Sequence, residues 1–211
     1  MNFGLNENDA QNYWAERTQK QGELVVGYGG HTTMLQQNTE YEEKRAFVIP
    51  FLNKTEKTID YGCGIGRWSD IFEGNYLGVD ITPQAIEMAQ KRNKNRKYEV
   101  LSKPFFTDEN EQIKIYIEDV KQFFSSTCLQ HCSDTLVRKI FSSLKKYAKK
   151  DLTFVLYEAS TIGGLAHCKG RSFSDYTKLI SEYWSIKSAS SEEHYVHGQP
   201  HSLHKIFVKN V

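Results

Sequence analysis

The sequence lacks the features that mark membrane, fibrous and secreted proteins. Its four prolines are scattered, and no repeat, low-complexity tract or glycine/serine linker divides the 211 residues. No apolar run is long enough to cross a bilayer, and the polar, acidic residues 1–12 lack the basic start and apolar core of a signal peptide. These absences predict a cytoplasmic protein with one principal domain and no membrane partner.

Charge and cysteine spacing exclude further classes. A formal net charge of +1 offers no general attraction for nucleic acid, so no nucleic-acid partner is predicted. No cysteines form the C-x-x-C pair of a zinc ribbon or redox dithiol; they are Cys63, Cys128, Cys132 and Cys168. Cys128 and Cys132 could form one edge of a metal site with His131, although simple packing is the commoner role of such cysteines. The C-terminal histidines are His194, His197, His201 and His204. A strand would send His201 and His204 to opposite faces, and no metal is predicted.

What the chain does contain, from Glu56 onward, is an alternation of strand-like and helix-like patterns. Strands are predicted at residues 57–62, 75–80, 97–102, 121–127, 152–158, 184–189 and 203–209. Helices are predicted at residues 65–72, 82–89, 133–147 and 174–183, whereas residues 103–120 fit either period. The alternation predicts an α/β fold: a mostly parallel sheet with helices on both faces, and a last strand pair that is antiparallel because no helix joins it.

The N-terminal residues look like an appendage to that domain. A helix is predicted around residues 9–20, followed by the glycine-rich "VVGYGGHT" at residues 25–32. We expect residues 1–38 to form a helical and glycine-rich cover over a single domain of residues 39–211. Thr39 and Glu42 have the spacing of a capping box, which predicts that the next helix begins at Thr39 and ends near Pro50.

The stretch "TIDYGCGIGRWSD", residues 58–70, places three glycines within five residues directly after a strand. Bare backbone at this position brings free N–H groups to one point and lets a ligand press against the chain. A dinucleotide fingerprint would need its third glycine where Arg67 stands, which weakens a pyrophosphate interpretation. Asp80 ends the next strand, where a carboxylate can accept both hydroxyls of a ribose. The pattern predicts a turn that binds an adenosine-containing cofactor.

These residues resemble a known family. "IDYGCGIGRWSDIF" followed by "YLGVDITPQAIEMAQ" is similar to the class I, Rossmann-like, S-adenosylmethionine-dependent methyltransferases. The later "FFSSTCLQHCSD", "VRKIFSSLKKY" and "LTFVLYEAS" look like that family's fourth and fifth strands and the helix between them. The resemblance spans about residues 56–160. It implies a seven-stranded sheet with an antiparallel last strand, S-adenosylmethionine as cofactor, and methyl transfer to oxygen or nitrogen.

The resemblance also implies roles for individual residues at the cofactor. Asp60, Gly62 and Gly64 would hold the methionine end, Arg67 its carboxylate, and Asp80 the ribose. The full implied set is Asp60, Gly62, Cys63, Gly64, Arg67, Asp80, Ile81 against the adenine, Ser126 and, from the cover, Trp14. Asp119 is nominated for the acidic residue that family members often place near the adenine amino group.

Two residues are candidates for catalysis. His131 follows the fourth strand and could take a proton from an alcohol or ammonium acceptor, or it could simply start a helix. Glu158 ends the fifth strand at the same edge, where a structural salt bridge is the alternative. Around them, "AHCKGRSFSDY" supplies cations that could receive a phosphate or carboxylate, or could form a solvated loop. The predicted acceptor contacts are Tyr28, Gln130, His167, Arg171 and His197.

The leading hypothesis is therefore methyl transfer from S-adenosylmethionine to oxygen or nitrogen of a small polar or sugar-like acceptor, phosphorylated or not. Methylation of a peptide or protein N-terminus is an alternative, because "GIGR" also occurs in enzymes of that kind. A partner protein that binds S-adenosylmethionine without catalysis is a second alternative. A nicotinamide oxidoreductase is the third, and Arg67 weighs against it.

Overall fold

In the computed structural model, which describes residues 4–22, 34–160, 168–196 and 199–210, seven strands form one sheet. The strands are β1 (Thr58–Tyr61), β2 (Tyr76–Asp80), β3 (Lys97–Val100), β4 (Gln122–Ser126), β5 (Leu152–Ala159), β6 (Ser185–Val196) and β7 (Gln199–Lys209). Their order across the sheet is β3-β2-β1-β4-β5-β7-β6. Only β7 runs against the others, since β5 and β6 both pair with it antiparallel while the remaining pairs are parallel. The predicted fold class is confirmed.

Helices cover both faces of this sheet. In the described residues they are α1 (Glu7–Gln21), α2 (Met34–Val48), α3 (Pro83–Arg92), α4 (Glu111–Glu118), α5 (Asp134–Tyr147) and α6 (Phe173–Ser181). Adjacent strand residues alternate between two apolar layers: Phe123 and Phe154 pack with α4, α5 and α6, whereas Phe124 and Val155 pack with α3 and the end of α2. Among the described residues, no helix is both long and apolar enough to cross a membrane.

The N-terminal helix is attached at the carboxyl end of the parallel strands. Leu5 donates its N–H to the carbonyl of His131 (2.7 Å) and accepts from the N–H of Ser133 (2.9 Å). Glu7 pairs with Lys139 of α5 at 2.8 Å, and Ala10 joins the α5 side of the core. The backbone bonds and the ion pair hold α1 across the edge at which β1, β2 and β4 end. The division into a cover of residues 1–38 and a domain of 39–211 stays a prediction.

Several predicted elements differ from the structure. No regular helix forms at residues 65–72; consecutive turns replace it. Residues 103–120 resolve into α4 preceded by irregular chain, so the helical period is the correct one there. α2 begins at Met34, so Thr39 lies inside the helix and is not its N-cap. α6 is capped by Ser172 rather than Ser174, in a capping box with Asp175. The strands of the last hairpin extend to Val196 and Gln199, well into the predicted loop.

Candidate active site

The glycine turn follows β1 and needs glycine for two reasons. Gly62, Gly64 and Gly66 all have positive φ angles (73°, 53° and 72°), which side chains on L-residues disfavour. A Cβ added to Gly62 would lie 2.2 Å from Cys128 Sγ, so the turn also passes too close to the end of β4 for any side chain. The same positive angles explain why no helix begins here, because a right-handed helix cannot run through them.

Asp80 joins the first two loops of this edge. Its carboxylate accepts from the N–H of Gly64 (3.0 Å) and from the N–H of Thr82 (2.8 Å). Burial raises the pKa of Asp80, while these two N–H groups oppose that rise. The carboxylate is therefore fixed beside the glycine turn, at the end of β2 where the sequence predicts a ribose contact.

Asp60 lies beneath the turn, within β1. Its side chain is 1% exposed and accepts from the hydroxyl of Tyr76 at 2.7 Å. Burial raises the pKa of Asp60 to about 7, against the lowering effect of the Tyr76 hydroxyl. Such a carboxyl carries its proton in mildly acidic conditions, and it supports the turn from below.

The remaining predicted cofactor residues sit around the same turn. Cys63 is buried, its N–H donates to the carbonyl of Val79 (3.0 Å), and burial raises the pKa of its thiol well above the usual value. Ile81 packs against the core beside Asp80. Ser126 ends β4 and precedes Thr127, a β-branched residue with a φ of 54°, which is a strained conformation. Backbone strain of this kind is frequent at active sites and ligand-binding sites.

Arg67 is buried against α2. Its guanidinium lies 5.2 Å from the ring centre of Tyr41, and its carbonyl accepts from the Tyr41 hydroxyl. Arg45, one turn further along α2, also lies over that ring (5.4 Å) and pairs with Asp70 at 2.9 Å. Tyr41 therefore contacts two guanidinium groups and binds the far end of the turn segment.

Trp14 of α1 covers the turn. It packs against Ile65 and Ala85 and meets the ring of His131 edge to face at 4.9 Å. One indole thus bridges the loops that follow β1, β2 and β4. This position agrees with the predicted cover, although its contact with a cofactor stays a prediction.

His131 closes the site from the β4 side and is half-buried. Its Nδ1 lies 3.1 Å from Cys168 Sγ, and its Nε2 lies 3.5 Å from Gln130 Nε2. Gln130 itself is anchored: its side-chain Oε1 accepts from the N–H of Ala159 (2.8 Å) and its carbonyl from the N–H of Lys169 (2.6 Å). Gln130 is 8% exposed, and its side-chain oxygen and its carbonyl are both bonded to the backbone. We therefore assign Gln130 a structural role, and its contact with an acceptor stays a prediction.

Glu158 is wholly buried and organises the chain that carries His131. Its Oε1 accepts from the Ser125 hydroxyl (2.8 Å) and from the N–H groups of Cys128 (3.3 Å) and Leu129 (3.1 Å), and its Oε2 accepts from the N–H of Gln130 (3.1 Å). Burial raises the pKa of Glu158 to about 7, while these donors oppose the rise. Because both oxygens are occupied, Glu158 positions the turn after β4, and we do not assign it proton transfer.

Arg171 is buried in the structure and does not face an acceptor. It is 1% exposed, donates to the carbonyls of Leu129 (2.8 Å) and Cys132 (2.6 Å), and pairs with Asp134. Lys169, the other cation of this loop, pairs with Asp134 as well. The predicted anion-binding role therefore needs correction: both cations serve to fix the segment that carries His131.

Other predicted positions fall elsewhere. Asp119 pairs with Lys57 next to the amino ends of the strands, so its nomination for the adenine is wrong. Tyr28, His167 and His197 lie outside the described residues. Within residues 4–22, 34–160, 168–196 and 199–210, no group of three or more metal-ligating side chains occurs. Sequence reasoning missed Tyr41 and Cys168, for which no local motif gives a signal.

The chain is similar to several known proteins. The sequence model of a family described as a methyltransferase domain matches residues 52–206. The probable methyltransferase ltbC of Aspergillus luteorubrus is 33% identical over 69 residues, which make up 30% of this chain and 24% of that protein. The chain therefore matches only about a quarter of that relative.

Solved structures share the fold. The magnesium protoporphyrin IX methyltransferase of Synechocystis, with S-adenosylhomocysteine bound, is 14% identical, with a TM-score of 0.64 over 93% of this chain and 97% of its own. A S-adenosylmethionine-dependent methyltransferase from Anabaena variabilis is 17% identical, with a TM-score of 0.65 over 99% and 97%. Phosphoethanolamine N-methyltransferase 1 of Haemonchus contortus is 17% identical, with a TM-score of 0.65 over 97% of this chain and 49% of its own.

Proposed function

Because the chain belongs to the methyltransferase domain family, we propose that it transfers a methyl group from S-adenosylmethionine to an oxygen or nitrogen atom of a small polar acceptor. One observation carries the proposal. The glycine turn after β1, the fixed carboxylate of Asp80 after β2 and the imidazole of His131 after β4 lie along one edge, joined by the indole of Trp14. Ligands of open α/β sheets bind at this edge.

The residues present fit such a cofactor. Gly64, at positive φ, has no Cβ to keep a ligand from its backbone, whereas the Cβ position of Gly62 is filled by Cys128 Sγ. Asp80 offers a carboxylate to two ribose hydroxyls, and Arg67, set against Tyr41, would pair with the methionine carboxylate. When bound, S-adenosylmethionine supplies a methyl group on a positively charged sulfur.

The chain's own residues would align the acceptor and remove its proton. His131 would face the acceptor, and an imidazole has a suitable unperturbed pKa for taking a proton from an alcohol or ammonium. Glu158 and Arg171 hold the segment that carries His131. Helix α1 would exclude water from above.

The acceptor class follows from the same contacts. Arg171 and Lys169 are engaged with Asp134, so the described residues lend little support to a phosphorylated acceptor. Two relatives by fold are named for small molecules, magnesium protoporphyrin IX and phosphoethanolamine, which supports a small-molecule acceptor without identifying it.

Thermal unfolding tests the cofactor. We would measure the midpoint with no ligand, with S-adenosylmethionine, with S-adenosylhomocysteine and with NAD, for the wild type, Asp80→Ala and Asp119→Ala. A ligand at a hundred times its dissociation constant stabilises by about 2.7 kcal/mol, a rise of roughly 5 to 10 °C for a chain of this size. We expect the rise with both sulfur compounds in the wild type and in Asp119→Ala, whose carboxylate lies at the other edge. Asp80→Ala should lose most of it.

The outcome that overturns the proposal is equally plain. If NAD alone shifts the midpoint, the glycine turn serves a dinucleotide. If neither sulfur compound shifts it at millimolar concentration, this chain does not use S-adenosylmethionine. A shift with no methyl transfer to any hydroxyl, small amine or peptide amine would favour a non-catalytic binding protein.

A further inference from the structure

His131 is held on both ring nitrogens by groups whose hydrogen-bonding roles are set by the rest of the protein. Gln130 Oε1 lies 2.8 Å from the backbone N–H of Ala159. A backbone N–H can only donate, so this oxygen is the acceptor and the amide orientation of Gln130 is fixed. Its Nε2 therefore carries hydrogens toward His131 Nε2, 3.5 Å away.

That arrangement favours one position for the imidazole proton. Gln130 Nε2 has no lone pair to accept with, so this long contact favours a lone pair on His131 Nε2. In a neutral ring the proton then sits on Nδ1, which faces Cys168 Sγ at 3.1 Å. An imidazolium would set two N–H groups against each other at Gln130, so the neutral ring fits better.

Cys168 is suited to receive that proton without taking it. Burial raises the pKa of its thiol to about 12, and Arg17 of α1 and Glu158 of β5 are the charged groups that act on it, in opposite directions. The thiol thus stays neutral and offers sulfur lone pairs to Nδ1–H. The neighbouring thiol of Cys132 contacts the carbonyl of Cys128 at 3.8 Å instead.

We propose that Cys168 and Gln130 are positioning residues that hold His131 as the Nδ1–H tautomer, with the lone pair of Nε2 directed to the acceptor side. The tautomer itself does not depend on the proposed function, but its role in catalysis does. In methyl transfer the acceptor O–H or N–H bond breaks toward Nε2, the acceptor atom takes the methyl group, and the sulfur keeps the bonding pair. The acceptor displaces the long contact to Gln130 and finds the lone pair already in place.

The test reads the tautomer directly, without turnover. Protein labelled with ¹⁵N-histidine is examined by long-range ¹H–¹⁵N correlation NMR at pH 8, and the signals of His131 are assigned by their loss in His131→Ala. We expect protonated Nδ1 and unprotonated Nε2 in the wild type. In Cys168→Ala only the long 3.5 Å contact to Gln130 still favours a lone pair on Nε2, so Nδ1 should shift toward the unprotonated region, as in free imidazole. Cys168→Ser, which restores an acceptor, should return the wild-type pattern, and Cys132→Ala should leave it unchanged.

Two results overturn the inference. An Nε2–H pattern in the wild type refutes the tautomer itself. A wild-type pattern that persists in Cys168→Ala, with its unfolding midpoint unaltered, removes Cys168 as the residue that sets it. Neither result bears on S-adenosylmethionine binding, which the unfolding measurement above decides separately, so the two proposals can fail independently.

Discussion

At the scale of single residues, the same chemistry that recognises a ligand also builds the protein. A guanidinium in a loop before a helix can clamp an anion, but Arg171 instead donates to two buried backbone carbonyls, of which that of Leu129 also accepts from the N–H of Cys132. Those carbonyls belong to Leu129 and Cys132, on either side of His131. Arg171 therefore affects the site through the shape of this segment.

Replacing Arg171 should destabilise the whole domain. Arg171→Gln cannot reach both carbonyls and also loses the ion pair with Asp134, which together cost roughly 3 kcal/mol. We expect the unfolding midpoint to fall by about 6 to 12 °C. The matched control is Arg138→Gln, because Arg138 bonds to Glu182 through the same fork but in an exposed pair worth less than about 1 kcal/mol. Equal losses in the two variants would refute the structural role.

A comparison of Gly62→Ala with Gly22→Ala distinguishes the cost of backbone strain from the cost of a steric clash. Gly62→Ala adds a Cβ at positive φ and sets it 2.2 Å from Cys128 Sγ, whereas Gly22→Ala adds one at positive φ with nothing within 4 Å. We expect Gly22→Ala to cost about 1 to 3 kcal/mol from strain. Gly62→Ala should cost about 1 to 3 kcal/mol more from overpacking, and should abolish the midpoint shift with S-adenosylhomocysteine. Chemical denaturation and the ligand shift measure both, and a Gly62→Ala protein as stable as Gly22→Ala would contradict the close approach.

At the scale of elements, helix α2 supports the chain that follows the glycine turn, where a regular helix would support itself. The turn segment of residues 62–72 has no helical hydrogen-bond ladder to stiffen it. Tyr41 supplies the stiffness: its hydroxyl binds the carbonyl of Arg67, its ring contacts the guanidinium groups of Arg67 and Arg45, and it meets Trp68 at 5.3 Å. The placement of Arg67 thus depends on α2.

Substitution of Tyr41 should weaken the grip on one part of the cofactor only. Loss of the ring in Tyr41→Leu removes one support of the Arg67 guanidinium, so we expect the dissociation constant of S-adenosylhomocysteine to rise about tenfold. Binding of 5′-methylthioadenosine, which lacks the amino acid, should not change. Tyr41→Phe keeps the ring and should have a smaller effect. Tyr116→Phe is the control, because that hydroxyl also binds a backbone carbonyl, of Thr58, but at the other edge. Calorimetry that shows equal losses for both ligands would rule out this role.

The sequence predicts elements well where one signal dominates. The buried strands read as apolar runs because both of their faces are covered, and α5 reads as a helix because its apolar spacing is regular. At residues 65–72 the apolar spacing also suits a helix, but glycines at positive φ prevent one. Residues 103–120 remained ambiguous because their isoleucines fit two periods at once.

The residues of the candidate site also divide into those that the sequence predicts and those that it does not. Asp80 and the glycine turn were predictable because they lie 16 residues apart, within one strand-turn-strand unit, and each follows a strand. The contact of Cys168 with His131 spans 37 residues and that of Arg171 with Leu129 spans 42, and no local pattern encodes either. Side-chain partners over such separations are decided by the packing of the whole domain.

At the scale of the molecule, buried carboxyls at one edge couple stability to pH. Burial raises the pKa of Asp60, Asp80 and Glu158 alike, with Asp60 and Glu158 reaching about 7. In the unfolded chain these groups release their protons near pH 4. Between those values the native state binds more protons than the unfolded state, so the free energy of unfolding falls as pH rises. Most acid-denatured proteins show the opposite slope in this range.

Asp60→Asn tests this coupling, because an amide oxygen can still accept from the Tyr76 hydroxyl while the titration is removed. The wild-type contribution of Asp60 should decline by roughly 3 to 4 kcal/mol between pH 4 and pH 7 and then level off. Urea unfolding at pH 4.5, 5.5, 6.5 and 7.5 should therefore give a flatter profile for the variant, with its gain over the wild type largest at the highest pH. Asp119→Asn is the control: its exposed carboxylate, whose pKa Lys57 lowers, should give no such gain. A variant profile parallel to the wild type would mean that Asp60 is ionised throughout, with the Tyr76 hydroxyl outweighing burial.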